Sequence, residues 1–181
     1  RPLILVTLGS LFTEDIAFFT RVTEAAAELG GHSVVAAGRS VLAPDLLARL
    51  QQRALPQATL LDWVDYAWLF PRLAVAVHHG GMGVTHAAIC HGLPQLIIPH
   101  AGDQTLQARR AAATGVGIHL PPAQADRAQI KAALRELLLN PLWRQRAARL
   151  QTEFADLGGP THAAAILVSH ASLPKPHKLE H

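Results

Sequence analysis

Six short apolar runs, most of them closed by glycine or proline and each followed by a stretch of helical character, constrain this chain more than any other feature. The first, Leu3-Ile4-Leu5-Val6-Thr7-Leu8, has almost no polar face, which suits a strand covered on both sides. Similar runs fall at 32–37, 58–61, 73–77, 95–98 and 117–120. Between them, Thr13-Glu14-Asp15 supply cap and first-turn acids for a helix through Leu29, and Pro44 opens another through Leu50. A single helical turn is expected over Ala67–Phe70, a helix from the glycines at 80–83 to about Cys90, and another over Gln104–Ala113. Three more close the chain: Arg127–Leu139, Pro141 to about Leu157, and Thr161 to about His170, the last two parted by Gly158-Gly159-Pro160. This alternation with short links predicts a doubly wound, Rossmann-like parallel α/β sheet of about six strands. Ligands of such sheets sit beyond the carboxyl ends of the strands, where every candidate loop below lies.

Composition enters mainly as exclusion. A chain of 181 residues that is 50% hydrophobic and 16% charged suits one globular domain with a sizeable core. The net charge of +3 comes with no Lys/Arg run and no aromatic-interleaved basic stripe, so nucleic acid is not an expected partner. No apolar run is long enough to span a bilayer. Cys90 is the single cysteine, which removes intrachain disulfides and fits a reducing, cytoplasmic setting. The abrupt opening on a strand suggests an excised domain, and Lys178-Leu179-Glu180-His181 looks like the start of an expression tag. The expected organisation is therefore one domain over 1–171 and a tail over 172–181.

The richest loop is His79-Gly80-Gly81-Met82-Gly83-Val84-Thr85, between a buried strand and a helix. Glycines let a backbone approach a ligand, and a helix start offers unpaired N–H groups, which together make a phosphate site. A glycine turn for tight packing is the plainer reading, and the spacing is not that of a dinucleotide fingerprint. Gly9-Ser10 ends the first strand, where Ser10 could assist the same phosphates or be an ordinary loop serine. Asp103-Gln104 offers donors and acceptors suited to sugar hydroxyls, although on pattern alone Asp103 reads as a helix cap. Trp63 is a stacking surface for a base or, more commonly, a packing residue, and Trp68 and Trp143 read as packing. His78, His79, His86, His91 and His100 crowd the same region of sequence without a carboxylate at ligand spacing, so no metal and no cofactor is expected.

Taken together, Trp63-Val64, Leu69-Phe70-Pro71, Val77-His78-His79-Gly80-Gly81-Met82-Gly83, Gly92-Leu93-Pro94, Pro99 and Asp103-Gln104 resemble the C-terminal domain of UDP-glucuronosyltransferase-like GT-B glycosyltransferases. The closer likeness is to bacterial members acting on sterols, macrolides and other natural products. The resemblance implies one half of a GT-B fold, binding a UDP- or dTDP-sugar. In it Trp63 would stack on the base and the backbone of Val64 pair with its edge. Gly9, Ser10, His79, Gly80, Gly81 and Gly83 would surround the diphosphate, and Asp103 and Gln104 would hold the sugar. It also implies metal-free transfer of a hexose to a hydroxyl acceptor with inversion, with the general base and most of the acceptor pocket in an N-terminal domain that this chain lacks. Val84 stands where relatives often carry Ser or Thr, with Thr85 as a substitute, and Ala87 where many eukaryotic relatives carry a ribose-binding Glu. The alternatives are a non-catalytic nucleotide or nucleotide-sugar module, and an epimerase or hydrolase on a similar fold.

Overall fold

A computed structural model describes residues 1–10, 15–38 and 45–171. Six parallel strands form one sheet in the order β3-β2-β1-β4-β5-β6. They are β1 (Leu3–Thr7), β2 (His32–Ala36), β3 (Ala58–Leu61), β4 (Val75–His78), β5 (Gln95–Ile97) and β6 (Gly117–His119). The order reverses between β1 and β4, whose registered pairs run from Ile4–Val75 to Thr7–His78. Crevices open at such reversals, because the connections leave β1 and β4 toward opposite faces.

One face is covered by α1 (Ile16–Glu28), α2 (Leu46–Gln52) and α6 (Arg127–Leu139) over Ile4, Val6, Val35, Val77 and Leu96. Phe18 and Phe19 of α1 are fully buried there, each contributing about 1.5–3 kcal/mol of hydrophobic stabilisation. The other face carries α3 (Tyr66–Leu69), α4 (Met82–Cys90), α5 (Gln104–Ala113) and α7 (Pro141–Ala155) over Leu5, Ala76 and Ile97. Arg144 of α7 donates to the carbonyls of Leu73, Ala74 and Gly92 at 3.0–3.3 Å, tying that helix to the lower ends of β4 and β5. The last helix, α8 (Gly159–Ala171), has no buried residue.

Several boundaries differ from the sequence expectations. Asp15 caps α1, its Oδ1 accepting from Phe18 N at 2.8 Å, while the expected Thr13-Glu14 lie outside the described residues. Pro44 also lies outside them, and α2 begins at Leu46. β4 starts at Val75 rather than Leu73, because Phe70–Arg72 forms a 3-10 turn that Leu73 closes. α8 begins at Gly159, so Gly159-Pro160 opens that helix instead of separating it. Trp143 packs against the core as expected, but Trp68 is exposed, with the Arg72 guanidinium stacked 4.4 Å over its ring. The tail over 172–181 lies outside the described residues.

Candidate functional site

The crevice begins with two matched turns. Thr7 and His78 are neighbours in register at the ends of β1 and β4, and each side chain captures the N–H two residues further on. Thr7 Oγ1 accepts from Gly9 N at 3.2 Å and donates to Ala36 O at 3.0 Å. His78 Nδ1 accepts from Gly80 N at 3.0 Å, so its Nε2 carries the proton and donates to Gln95 Oε1 at 2.9 Å. Both glycines take positive φ, +72° and +92°, which side chains rarely adopt. At Gly80 an added Cβ would also come within 2.9 Å of the Gln104 carbonyl.

His79 sits in the slot between these turns. An added Cβ on Gly9 would fall 2.8 Å from its Cε1, and one on Gly81 would collide with its Nε2, so the two glycines clear the space the imidazole fills. The residue is 8% exposed and its Nδ1 has no hydrogen-bond partner. Burial, and then repulsion by His100, lowers its pKa to about 4, against the pull of the Asp103 carboxylate and the Thr7 backbone. Burial followed by repulsion from His79 lowers His78 to about 3, with its bond to Gln95 opposing. Both rings are neutral at pH 7, so the floor of the crevice offers dipoles rather than charge.

The third element of the floor is the start of α4. Gly81 is its N-cap residue and makes no side-chain cap, and the first amide paired inside the helix at this end is Thr85 N, to Gly81 O at 3.1 Å. The preceding amides therefore remain available at the positive end of the helix dipole. Gly83 meets nothing within 4 Å of where its Cβ would be, so the protein's own packing does not require a glycine there. Thr85 does not line the cavity: one position beyond Val84, its side chain turns into the interior, where Oγ1 has no partner.

Around this floor lies a cavity of about 710 Å³, walled by Thr7, Gly9, Ser10, Ala36, Gly38, Asp62, Trp63, Val64, Tyr66, His79, Gly81, Gly83, Val84, Asp103 and Gln104. Of the eleven positions singled out in the sequence, nine meet here; Thr85 and Gly80 lie behind the wall. Trp63 stands at one end, 57% exposed, which removes the plain packing reading, while the Val64 side chain is buried with Leu69 and Phe70. Asp103 is exposed at the other end. The expectation that it caps α5 fails: its backbone is already helical (φ −79°, ψ −3°) and its side chain makes no cap bond. Gln104 performs local work instead, its Oε1 accepting from His100 N at 2.7 Å and Ala101 N at 2.9 Å, which leaves its amide NH2 to offer a ligand.

The histidines that crowd in sequence divide in space: His78, His79 and His100 stay close enough to repel one another, while His86 and His91 turn to local partners. His86 is exposed on α4 beside Cys90, His91 Nδ1 bonds back to Ala87 O at 2.8 Å, and only His79 of the five lines the cavity. Among the described residues no three His, Cys, Asp or Glu side chains are grouped to hold a metal ion, and no helix is long and apolar enough to cross a membrane. Sequence reasoning missed the supporting pair Thr7 and His78. Their signal is a polar residue ending an apolar strand two positions before a glycine.

Residues 32–170 match the family described as "Erythromycin biosynthesis protein CIII-like, C-terminal domain". The elloramycin glycosyltransferase ElmGT of Streptomyces olivaceus is 35% identical over 176 residues, covering 96% of this chain and 43% of that protein. Among solved structures, the calicheamicin glycosyltransferase CalG4 superposes with a TM-score of 0.82 at 29% identity, over 97% of this chain and 45% of that one. The spinosyn rhamnosyltransferase SpnG complexed with thymidine diphosphate gives a TM-score of 0.72 at 26% identity, over 86% and 42%. The chain thus spans less than half the length of these relatives.

Proposed function

The chain belongs to the erythromycin biosynthesis protein CIII-like C-terminal domain family, and on that premise we propose that residues 1–171 form the donor-binding domain of an inverting natural-product glycosyltransferase. The observation that carries this reading is the uncapped start of α4, opening on a cavity beside a neutral imidazole held between Gly9 and Gly81. A diphosphate fits there, accepting from the α4 amides and from His79 Nε2–H, with Ser10 at its other side. The base lies on Trp63, and Asp103 with the Gln104 amide takes the sugar hydroxyls. Thymidine diphosphate, the nucleotide bound by SpnG, is the preferred leaving group over UDP. Ala87, in place of an acidic residue, offers nothing to a ribose 2′-hydroxyl.

In the whole enzyme, a base on another domain removes the acceptor hydroxyl's proton as its oxygen attacks the anomeric carbon. The bond to the diphosphate breaks on the opposite face, inverting the centre. This domain's part is electrostatic: α4 and His79 stabilise the charge arriving on the leaving phosphate. The exposed apolar residues of α8, Ile166 and Leu167, are the surface that meets the other domain. Alone, the chain binds the nucleotide and transfers nothing.

Calorimetric titration of the chain with dTDP and UDP tests the reading. Saturable binding of dTDP, weakened about fivefold or more in His79→Ala by loss of one hydrogen bond, is expected. Absence of binding, or unchanged affinity in the variant, would overturn it.

A further inference from the structure

The turn that carries Asp103 is tied across the sheet to the opposite layer. His100 Nδ1–H donates to Ile98 O at 2.9 Å, while Nε2 lies 3.4 Å from Asp15 Oδ2 on α1. With Nδ1 committed as a donor, Nε2 reaches the carboxylate as a second donor when the ring carries both protons. The ring also meets Phe18 edge-on, centroids 5.4 Å apart at 82°. Asp15 divides its oxygens: Oδ1 caps α1 through Phe18 N, and Oδ2 faces His100, with Arg21 3.9 Å away.

This pair joins the start of α1 to the turn that precedes α5. On one side, Asp15 caps the first turn of α1. On the other, Gln104 Oε1 grips the amides of His100 and Ala101, so the position of His100 is passed directly to the turn containing Asp103. The Asp103 side chain makes no cap bond, while its carbonyl accepts from Leu106 N at 3.0 Å and Gln107 N at 3.1 Å, so the direction of its carboxylate follows the start of α5 and the turn before it. Neither His100 nor Asp15 lines the cavity.

We propose that His100 and Asp15 form a clasp that ties the turn before α5 to the start of α1 and thereby positions Asp103 on the donor's sugar. Both are positioning residues, touching no ligand, and the inference rests on the reading that Asp103 holds sugar hydroxyls. Loosening the clasp is felt by the sugar. The base and diphosphate, held by Trp63 and α4, are largely spared.

The test is calorimetric titration of dTDP-glucose and of dTDP into the unaltered chain, Asp15→Asn, His100→Gln and the double variant. Asparagine keeps the α1 cap while removing the charge. Each single variant is expected to weaken dTDP-glucose by about three- to tenfold while dTDP changes by less than about twofold. The double variant is expected to be no worse than the weaker single one, the mark of a shared interaction. Equal losses for both ligands, no loss for either, additive losses, or a lowered melting temperature without the split would overturn the clasp. Should the unaltered chain bind dTDP but gain nothing from the glucose, the sugar subsite itself is wrong. Should it bind neither, the donor-domain reading falls. Each of these results also removes the clasp, but at a recognisably earlier step.

Discussion

At the floor of the crevice, Thr7 and His78 bind the turns they sit beneath and are bound in turn by β2 and β5; at the rim, Ser10, Trp63 and Asp103 are exposed side chains on strand-end loops. The floor is part of the fold's own hydrogen-bond network, so its geometry exists before any ligand arrives. The rim adds chemistry at little structural cost. The lesson is that binding and stability are inseparable at the floor and separable at the rim.

Substitutions can break that contrast. Gly80→Ala has the largest expected effect: positive φ and a Cβ pressed on the Gln104 carbonyl cost about 2–4 kcal/mol in urea unfolding. A cost under about 0.5 kcal/mol would mean the floor is as tolerant as the rim. Acid is the next lever. His79 and His78 titrate near 4 and 3 when folded, below their ordinary 6.5. The unfolded chain therefore binds those protons first. Stability is complete above about pH 6.5 and falls toward pH 4, with a slope approaching about 1.4 kcal/mol per pH unit for each ring. Denaturant midpoints that stay level down to about pH 5 would contradict the neutral, buried floor.

At the rim, Trp63→Ala is expected to weaken dTMP and dTDP binding alike by about 1–3 kcal/mol, the usual worth of a stacked base, with unfolding free energy changed by less than about 0.5 kcal/mol. A large stability loss would return Trp63 to the core. Ser10→Ala has the smallest effect, about two- to threefold in dTDP affinity, read by the same titration.

The alternation of apolar runs revealed the sheet, its order of elements and the strand ends that border the crevice, because burial on both faces leaves an unmistakable pattern. Individual side-chain duties were less legible. Asp103 has the residue type of a cap, yet the preceding turn brings it in with helical φ and ψ, which denies its carboxylate the capping geometry. His78 and His79 are adjacent and identical in type. Only the strand register, which sets His78 beside Thr7, decides which ring supports the turn and which fills the slot. Thr85 looked equivalent to a phosphate-binding hydroxyl one position earlier, but one step along a helix is enough to turn it inward.

The most direct measurement is a crystal structure of the chain soaked with dTDP. The diphosphate is expected against the first amides of α4 with His79 Nε2 donating to it, and the thymine on Trp63. A diphosphate seated away from α4, with the His79 slot unchanged, would contradict the assignment of this crevice to the donor.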